Sequence, residues 1–198
     1  MVRLKRFLDL YSGLGGASEA FVECPYWDVS RLENNLLFEG VPHTLMLDVL
    51  ESDPEVFRPA DVIWASPPCL DFSTAYNAPG PLARRLGQDF DPDLDLVRRA
   101  LEWINALEPE WWVIENVMGS IPHFAQLGLK PIQIIGPFVL YGRFPHIVMP
   151  EGWDRPDKTQ TWNIGDPLRA NYRAKIPLEL SRALLHAIET QWTLDRWS

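Results

Sequence analysis

The tetrapeptide Ser66-Pro67-Pro68-Cys69 sets a thiol directly behind two prolines at the end of an apolar run. Proline fixes its own φ and restricts the residue before it, so the pair holds the direction of whatever follows. A thiolate nucleophile needs that kind of setting, on a loop beyond a strand where it is accessible. The only other cysteine, Cys24, lies in a helix-to-strand turn, and the two offer no Cys/His spacing for a zinc site. Three further clusters carry polar groups of the right type. Ser12-Gly13-Leu14-Gly15-Gly16 is a glycine-rich turn between an apolar run and a helical pattern, a geometry that lets backbone approach a ligand. Glu33 and Asp48 each follow an apolar run, where a carboxylate can accept ribose hydroxyls or an adenine amino group. Glu115-Asn116 ends the run 111–114, so the acid is expected to be partly desolvated, which favours its protonated form. Each cluster taken alone has a plain alternative: a tight turn, a solvated carboxylate, a buried structural thiol.

The elements that would position these groups alternate. Residues 6–11, 27–33, 43–49, 60–66 and 111–117 read as strands, and 91–109 reads as a helix with Leu94, Val97, Leu101 and Ile104 at helical spacing. A helix is also predicted to start at 17, and a closing one runs through 176–192 with Leu180, Ala183, Leu184, Ala187 and Ile188 along one stripe. Shorter strands are expected within 131–136 and 138–149. Strands alternating with helices imply a mostly parallel sheet covered on both faces, with ligands at the carboxyl ends of the strands. All four polar clusters would then share one edge.

Bulk properties narrow the function classes. The 198 residues suit one well-packed domain spanning 1–198. No run of 18 apolar residues exists, so no membrane partner is expected, and two cysteines point to a reducing, cytoplasmic setting. The net charge of −9 counts against tight nonspecific binding of nucleic acid. Its distribution is uneven: residues 1–140 hold 20 acidic and 10 basic side chains, residues 141–198 hold 7 and 8. A polyanion must approach a local basic face, for which Arg84, Arg85, Arg155, Lys158, Arg169, Arg173 and Lys175 are the candidates; most of these read equally well as solvated surface.

"FLDLYSGLGG", "SPPCLDFS" and "ENV", in this order and at these intervals, resemble the DNA cytosine-5 methyltransferase family. The resemblance covers about residues 6–149, with a fainter echo in 173–188. It implies an α/β, Rossmann-like fold with a mixed, mostly parallel sheet and helices on both faces, S-adenosylmethionine as cofactor, and DNA with a flipped-out cytosine as partner. No metal is implied. By the same resemblance Asp9, Ser12, Gly13 and Gly15 hold the methionine part of the cofactor, Glu33 its ribose, Asp48 and Val49 its adenine, with Pro67 and Leu96 packing beside it. Cys69 matches the nucleophile and Glu115 the acid that grips the cytosine ring nitrogen and amino group. Arg143 matches the contact to the pyrimidine O2, and Pro68, Ser73, Arg84, Arg85 and Asn116 serve the substrate side.

Departures from the family pattern fall mostly on that substrate side. Tyr11 replaces a phenylalanine and Leu70 a glutamine, the arginine motif is reduced to Arg143, and "YRAKIPLEL" lacks the usual Gly-Asn. About twenty-five residues, 150–174, stand where the family places a target-recognition region, too few for a second core. Three readings stay open: a compact DNA enzyme with short or relaxed specificity, the same chemistry on single-stranded DNA, RNA or a free cytidine nucleotide, and a non-catalytic form or subunit needing a recognition partner.

Overall fold

The runs of buried residues in the first and fourth strands explain why they read as unbroken apolar stretches: a strand covered on both faces has no polar side to alternate with. In the computed structural model, which describes residues 3–154 and 165–195, β1 (Lys5–Leu10), β2 (Trp27–Glu33), β3 (Thr44–Met46), β4 (Val62–Ala65), β5 (Trp111–Asn116), β6 (Pro131–Ile135) and β7 (Phe138–Arg143) form one seven-stranded sheet. Its order is β3-β2-β1-β4-β5-β7-β6. The first five strands are mutually parallel, and β7 runs antiparallel to both its neighbours. The α/β, mostly parallel sheet expected from the alternation is what forms.

Helices cover both faces. On one, α3 (Asp95–Leu107) buries Val97, Ala100, Trp103, Ile104 and Leu107 against Leu8, Leu10, Leu32, Ile63 and Ile114. On the other, α1 (Glu19–Val22) and α6 (Leu178–Asp195) pack Phe21, Leu180, Leu184 and Ile188 against Phe7, Val29, Val62 and Trp64. Three short α-helices complete the described residues: α2 (Pro79–Arg85), α4 (Ile121–Phe124) and α5 (Arg169–Ala174). α5 falls within the stretch 150–174; Arg155 and Lys158 lie outside the described residues.

Two elements are shorter than their patterns predict. The helix after the glycine turn is a single turn, because residues 13–18 are drawn into turns by contacts beneath them. β3 stops at Met46, since Asp48 accepts the Leu50 N–H on Oδ1 (2.9 Å) and turns the chain away.

The register fixes the rim. Leu32, Leu10, Ala65 and Ile114 lie in one row across the four central parallel strands. One step further along the chain come Glu33, Tyr11, Ser66 and Glu115, the start of the polar clusters. Among the described residues no helix is long and apolar enough to cross a membrane, and no group of His, Cys, Asp and Glu is arranged to hold a metal ion.

Candidate functional site

Cys69 is reached from β4 through a loop that is anchored twice. The buried Asn116 amide donates from Nδ2 to the Pro67 carbonyl oxygen (2.9 Å), while its Oδ1 accepts from Val117 N–H (2.9 Å). Further on, Phe72 is buried, its ring edge-on to Phe124 with centroids 5.1 Å apart. Its carbonyl lies so close to Gly119 that a Cβ there would sit 2.0 Å from the oxygen. Pro67 is buried, Pro68 exposed, Cys69 half-buried and Leu70 exposed, so the chain emerges from the core at the thiol. Phe72 N–H to Cys69 C=O (3.1 Å) turns it back at once. Ser73 lies in this turn, its Oγ accepting from Ala75 N–H (3.2 Å).

Glu115 ends β5, the strand next to β4, and is 9% exposed. The Asn116 anchor thus ties the residue beside Glu115 to the residue two before Cys69. Thiol and carboxylate come to one rim because β4 and β5 are adjacent, parallel and in register there. Behind them, Ser120 and the fully buried Tyr141 share a hydroxyl–hydroxyl hydrogen bond of 2.8 Å. Burial raises the Tyr141 pKa, the Ser120 bond opposes the rise, and Glu115 adds to it.

The other half of the rim is built on β1 and β2. Glu33 accepts from Gly13 N–H on Oε2 (2.9 Å) and from Asn34 and Asn35 N–H on Oε1 (3.0 and 2.9 Å), which holds the glycine turn against the end of β2. Asn34 then donates from Nδ2 to Asp48 Oδ2 (3.0 Å), so the two acids read as adenosine contacts are bridged by one side chain. Asn34 escaped the sequence reading; nothing but its position between the two acids marks it.

Gly13, at φ +50°, has nothing within 4 Å of where a Cβ would be, so the turn is open on that side. Ser12 Oγ is buried without a hydrogen-bond partner. A buried hydroxyl of this kind calls for a polar group, and beside open backbone it suits the amino-acid end of S-adenosylmethionine. Gly15, at φ +70°, faces inward instead: a Cβ would lie 2.4 Å from the Arg31 guanidinium carbon.

Several sequence expectations change here. Asp9 is 1% exposed and accepts from Ser18 Oγ (2.6 Å) under the glycine turn, so it braces the turn from below rather than facing a ligand at the rim. Burial pushes its carboxyl up to about 7, against the pull of Ser18 and Arg31. Arg31, unforeseen, fills the same core: it donates to Ser18 Oγ, Gly15 C=O and Pro42 C=O, each at 2.8 Å. Its burial lowers its pKa while Asp9 and Glu19 raise it. A cationic residue at an inward position of an alternating strand was the signal available. Val49, read as an adenine contact, is 2% exposed and packs in the core; its carbonyl takes hydrogen bonds from Arg99 Nε (3.0 Å) and Trp103 Nε1 (3.2 Å). Leu96 stands near the glycine turn, since Tyr11 OH donates to its carbonyl (2.9 Å). Tyr11 itself holds φ +58°, and burial raises its pKa.

Arg143 is the clearest correction. It pairs with Trp112 near the start of β5, because β7 is antiparallel and brings its last residue to the opposite edge of the sheet. Its guanidinium is held by the Pro109 and Glu110 carbonyls, the latter at 2.9 Å. Three residues of strand, about 10 Å, separate that register from Glu115. Arg84 and Arg85 are exposed on α2, beyond the Cys69 turn. Lys175 pairs with Glu19 at 2.7 Å, and Arg169 and Arg173 are exposed on α5.

No protein-family model matches the chain. A protein of Frog virus 3 (isolate Goorha) described as "Probable DNA (cytosine-5)-methyltransferase" is 31% identical over 122 residues, 56% of this chain and 53% of that protein. The chain spans about half the length of the curated relative it matches. Among solved structures, the Entamoeba histolytica methyltransferase EhMeth superposes with a TM-score of 0.48 at 13% identity, over 72% of this chain and 53% of that one. TrmN from Thermus thermophilus does so with a TM-score of 0.43 at 16% identity, over 70% and 42%.

Proposed function

We propose that the chain transfers a methyl group from S-adenosylmethionine to C5 of cytosine in DNA. The observation that supports this is that the adjacent parallel strands β4 and β5 lead, at one rim, into the Cys69 loop and to Glu115, and that the same rim bears the glycine turn. Cytosine C5 is too weak a nucleophile to take a methyl group unaided. Addition of the Cys69 thiolate at C6 makes C5 enamine-like, and Glu115 hydrogen-bonds the ring nitrogen N3 and stabilises the charge that develops there. S-adenosylmethionine, when bound, supplies the electrophilic methyl group. Ser12 and the open side of Gly13 would receive its amino-acid end, Glu33 its ribose hydroxyls and Asp48 its adenine. Loss of the C5 proton then expels Cys69. Asn116 is a positioning residue in this scheme: it holds the Pro67 carbonyl and so the direction of the thiol. In a duplex the target must first leave the stack, at about a few kcal/mol.

The test is incubation with methyl-labelled S-adenosylmethionine and, separately, duplex DNA, single-stranded DNA, RNA and dCMP, alongside Cys69→Ala. Label in C5 of cytosine in DNA, abolished by the substitution while cofactor binding persists, is the expected outcome. Label confined to RNA or dCMP would replace the substrate. Cofactor binding with no transfer to any of the four would leave a binding module in place of an enzyme.

A further inference from the structure

The segment after the nucleophile carries a feature that the chemistry above does not use. Tyr76 is 73% exposed, seven residues beyond Cys69. The guanidinium carbon of Arg85 lies 3.7 Å from its ring centroid, within cation–π range. The same guanidinium donates from Nη1 to the Tyr76 carbonyl. One arginine therefore grips both the backbone and the ring of Tyr76 and closes residues 76–85 into a loop. The ends of that loop are set by Ala78 N–H to Ala75 C=O (2.9 Å) and by the start of α2 at Pro79. A large aromatic ring kept in water but fixed in direction is an unusual investment for a surface loop. Arg85 covers one face, which leaves the other for a flat π partner.

Charge supports a nucleic-acid occupant. Between residues 70 and 88 the charged side chains are Asp71, Arg84 and Arg85, so this stretch is net positive on a chain of net charge −9. Beyond it Asp89, Asp91, Asp93 and Asp95 follow in quick succession, all exposed. A single strand can follow the basic stretch and avoid the acidic one, whereas a duplex brings a second row of phosphates towards those carboxylates. Aromatic–base stacking does not depend on base identity, because every base has a π face.

We infer that Tyr76 and Arg85 form a stacking platform for an unpaired base next to the target cytosine, and that single-stranded DNA is the form in which this site takes up its substrate. The inference rests on the proposed cytosine chemistry and names the substrate form for it. Leu70, next in sequence to Cys69, adds a second exposed apolar side chain to this segment at 63% exposure.

The experiment measures binding of a fluorescein-labelled single-stranded 12-nucleotide DNA with one cytosine, and of its duplex, to the wild type, Tyr76→Ala, Tyr76→Phe and Arg85→Ala. Binding of S-adenosylmethionine serves as the check that each variant is folded. Tyr76→Ala is expected to weaken single-strand binding by about tenfold to hundredfold, and Tyr76→Phe by no more than about twofold. An abasic residue beside the cytosine should weaken the wild type and remove its difference from Tyr76→Ala. Transfer to dCMP, which has no neighbouring base, should be indifferent to Tyr76. Unchanged single-strand binding in Tyr76→Ala, or tighter binding of the duplex than of the strand, would overturn the platform. The two readings fail separately. Cys69-dependent transfer that ignores Tyr76 removes the platform alone, and Tyr76-dependent binding without any Cys69-dependent transfer removes the catalytic reading alone.

Discussion

The two halves of the rim are built to different standards of closure. On the β1–β2–β3 side, polar groups are committed to one another: Glu33 holds three backbone N–H groups, Asn34 ties it to Asp48, and Asp9, Ser18 and Arg31 form a buried knot under the glycine turn. On the β4–β5 side the Cys69 loop is held at Pro67 and Phe72, while Leu70, Tyr76, Leu82 and Leu86 stand exposed beyond it. On the proposed function the difference is chemical in origin. A small cofactor of fixed shape rewards a preorganised cradle, whose donors and acceptors need no rearrangement when it binds. A polymer substrate must enter, place one base and leave, so the surface that meets it keeps its apolar and aromatic groups in water until then.

The sharpest break of this comparison comes at the Asn116 anchor of the open half. Asn116→Asp keeps the shape but removes the N–H that holds Pro67 C=O, and leaves a carboxylate oxygen facing that carbonyl. Methyl transfer should fall at least about a hundredfold, with S-adenosylmethionine affinity changed by less than about threefold; equal losses in both would mean that the halves are coupled at this point. Next comes the closed half. Gly16→Ala places a Cβ 2.3 Å from the Ile176 carbonyl oxygen and should cost about 1–3 kcal/mol of stability together with cofactor binding. Gly13→Ala, which meets open space but at φ +50°, should cost about 1 kcal/mol. Denaturant melts of the two variants check the order.

Asp9 gives a subtler test. Its folded-state pKa of about 7 lies above its ordinary value of 3.8, so the native state keeps this proton over a range where the unfolded chain has lost it. Its influence therefore makes the fold less stable as pH rises from about 4 to about 7. Asp9→Asn should flatten that part of the stability curve relative to the wild type, as read from thermal midpoints across the range. A wild type and variant that run parallel from pH 4 to 7 would show that Asp9 is ionised throughout. The smallest effect is expected at Arg143. Arg143→Ala should leave kcat within about twofold, because its side chain serves the Pro109–Glu110 turn on the far edge; a collapse of kcat would return it to the active rim.

Sequence legibility followed the same division. β2 was readable to the residue from its alternation, and β1, β4 and β5 were placed because parallel strands buried on both faces leave apolar runs. Direction was not readable: an apolar run looks alike whichever way it points, and that hid the reversal of β7 and misplaced Arg143. The four polar clusters reached their common rim because each follows a parallel strand. The Asp9–Ser18–Arg31 knot was hidden for a different reason. Its members are 9 to 22 residues apart and polar, and only the folded chain reveals that they are buried together. Asn116 was legible through the resemblance, but its target, the Pro67 carbonyl, is a backbone atom with no signature in sequence.

The closing helix has a consequence for biosynthesis. Ser181 donates to Ala17 C=O (2.6 Å) and accepts from Ala20 N–H (3.0 Å), Lys5 and Trp27 both reach Glu189, and Gly16 leans on the backbone of Ile176. The glycine turn thus leaves the ribosome some 160 residues ahead of 176–189 and lacks its outer wall until they have followed it. A nascent chain should gain the power to retain a methyl donor late and in one step, so a stalled or prematurely ended product would be inert rather than partly active.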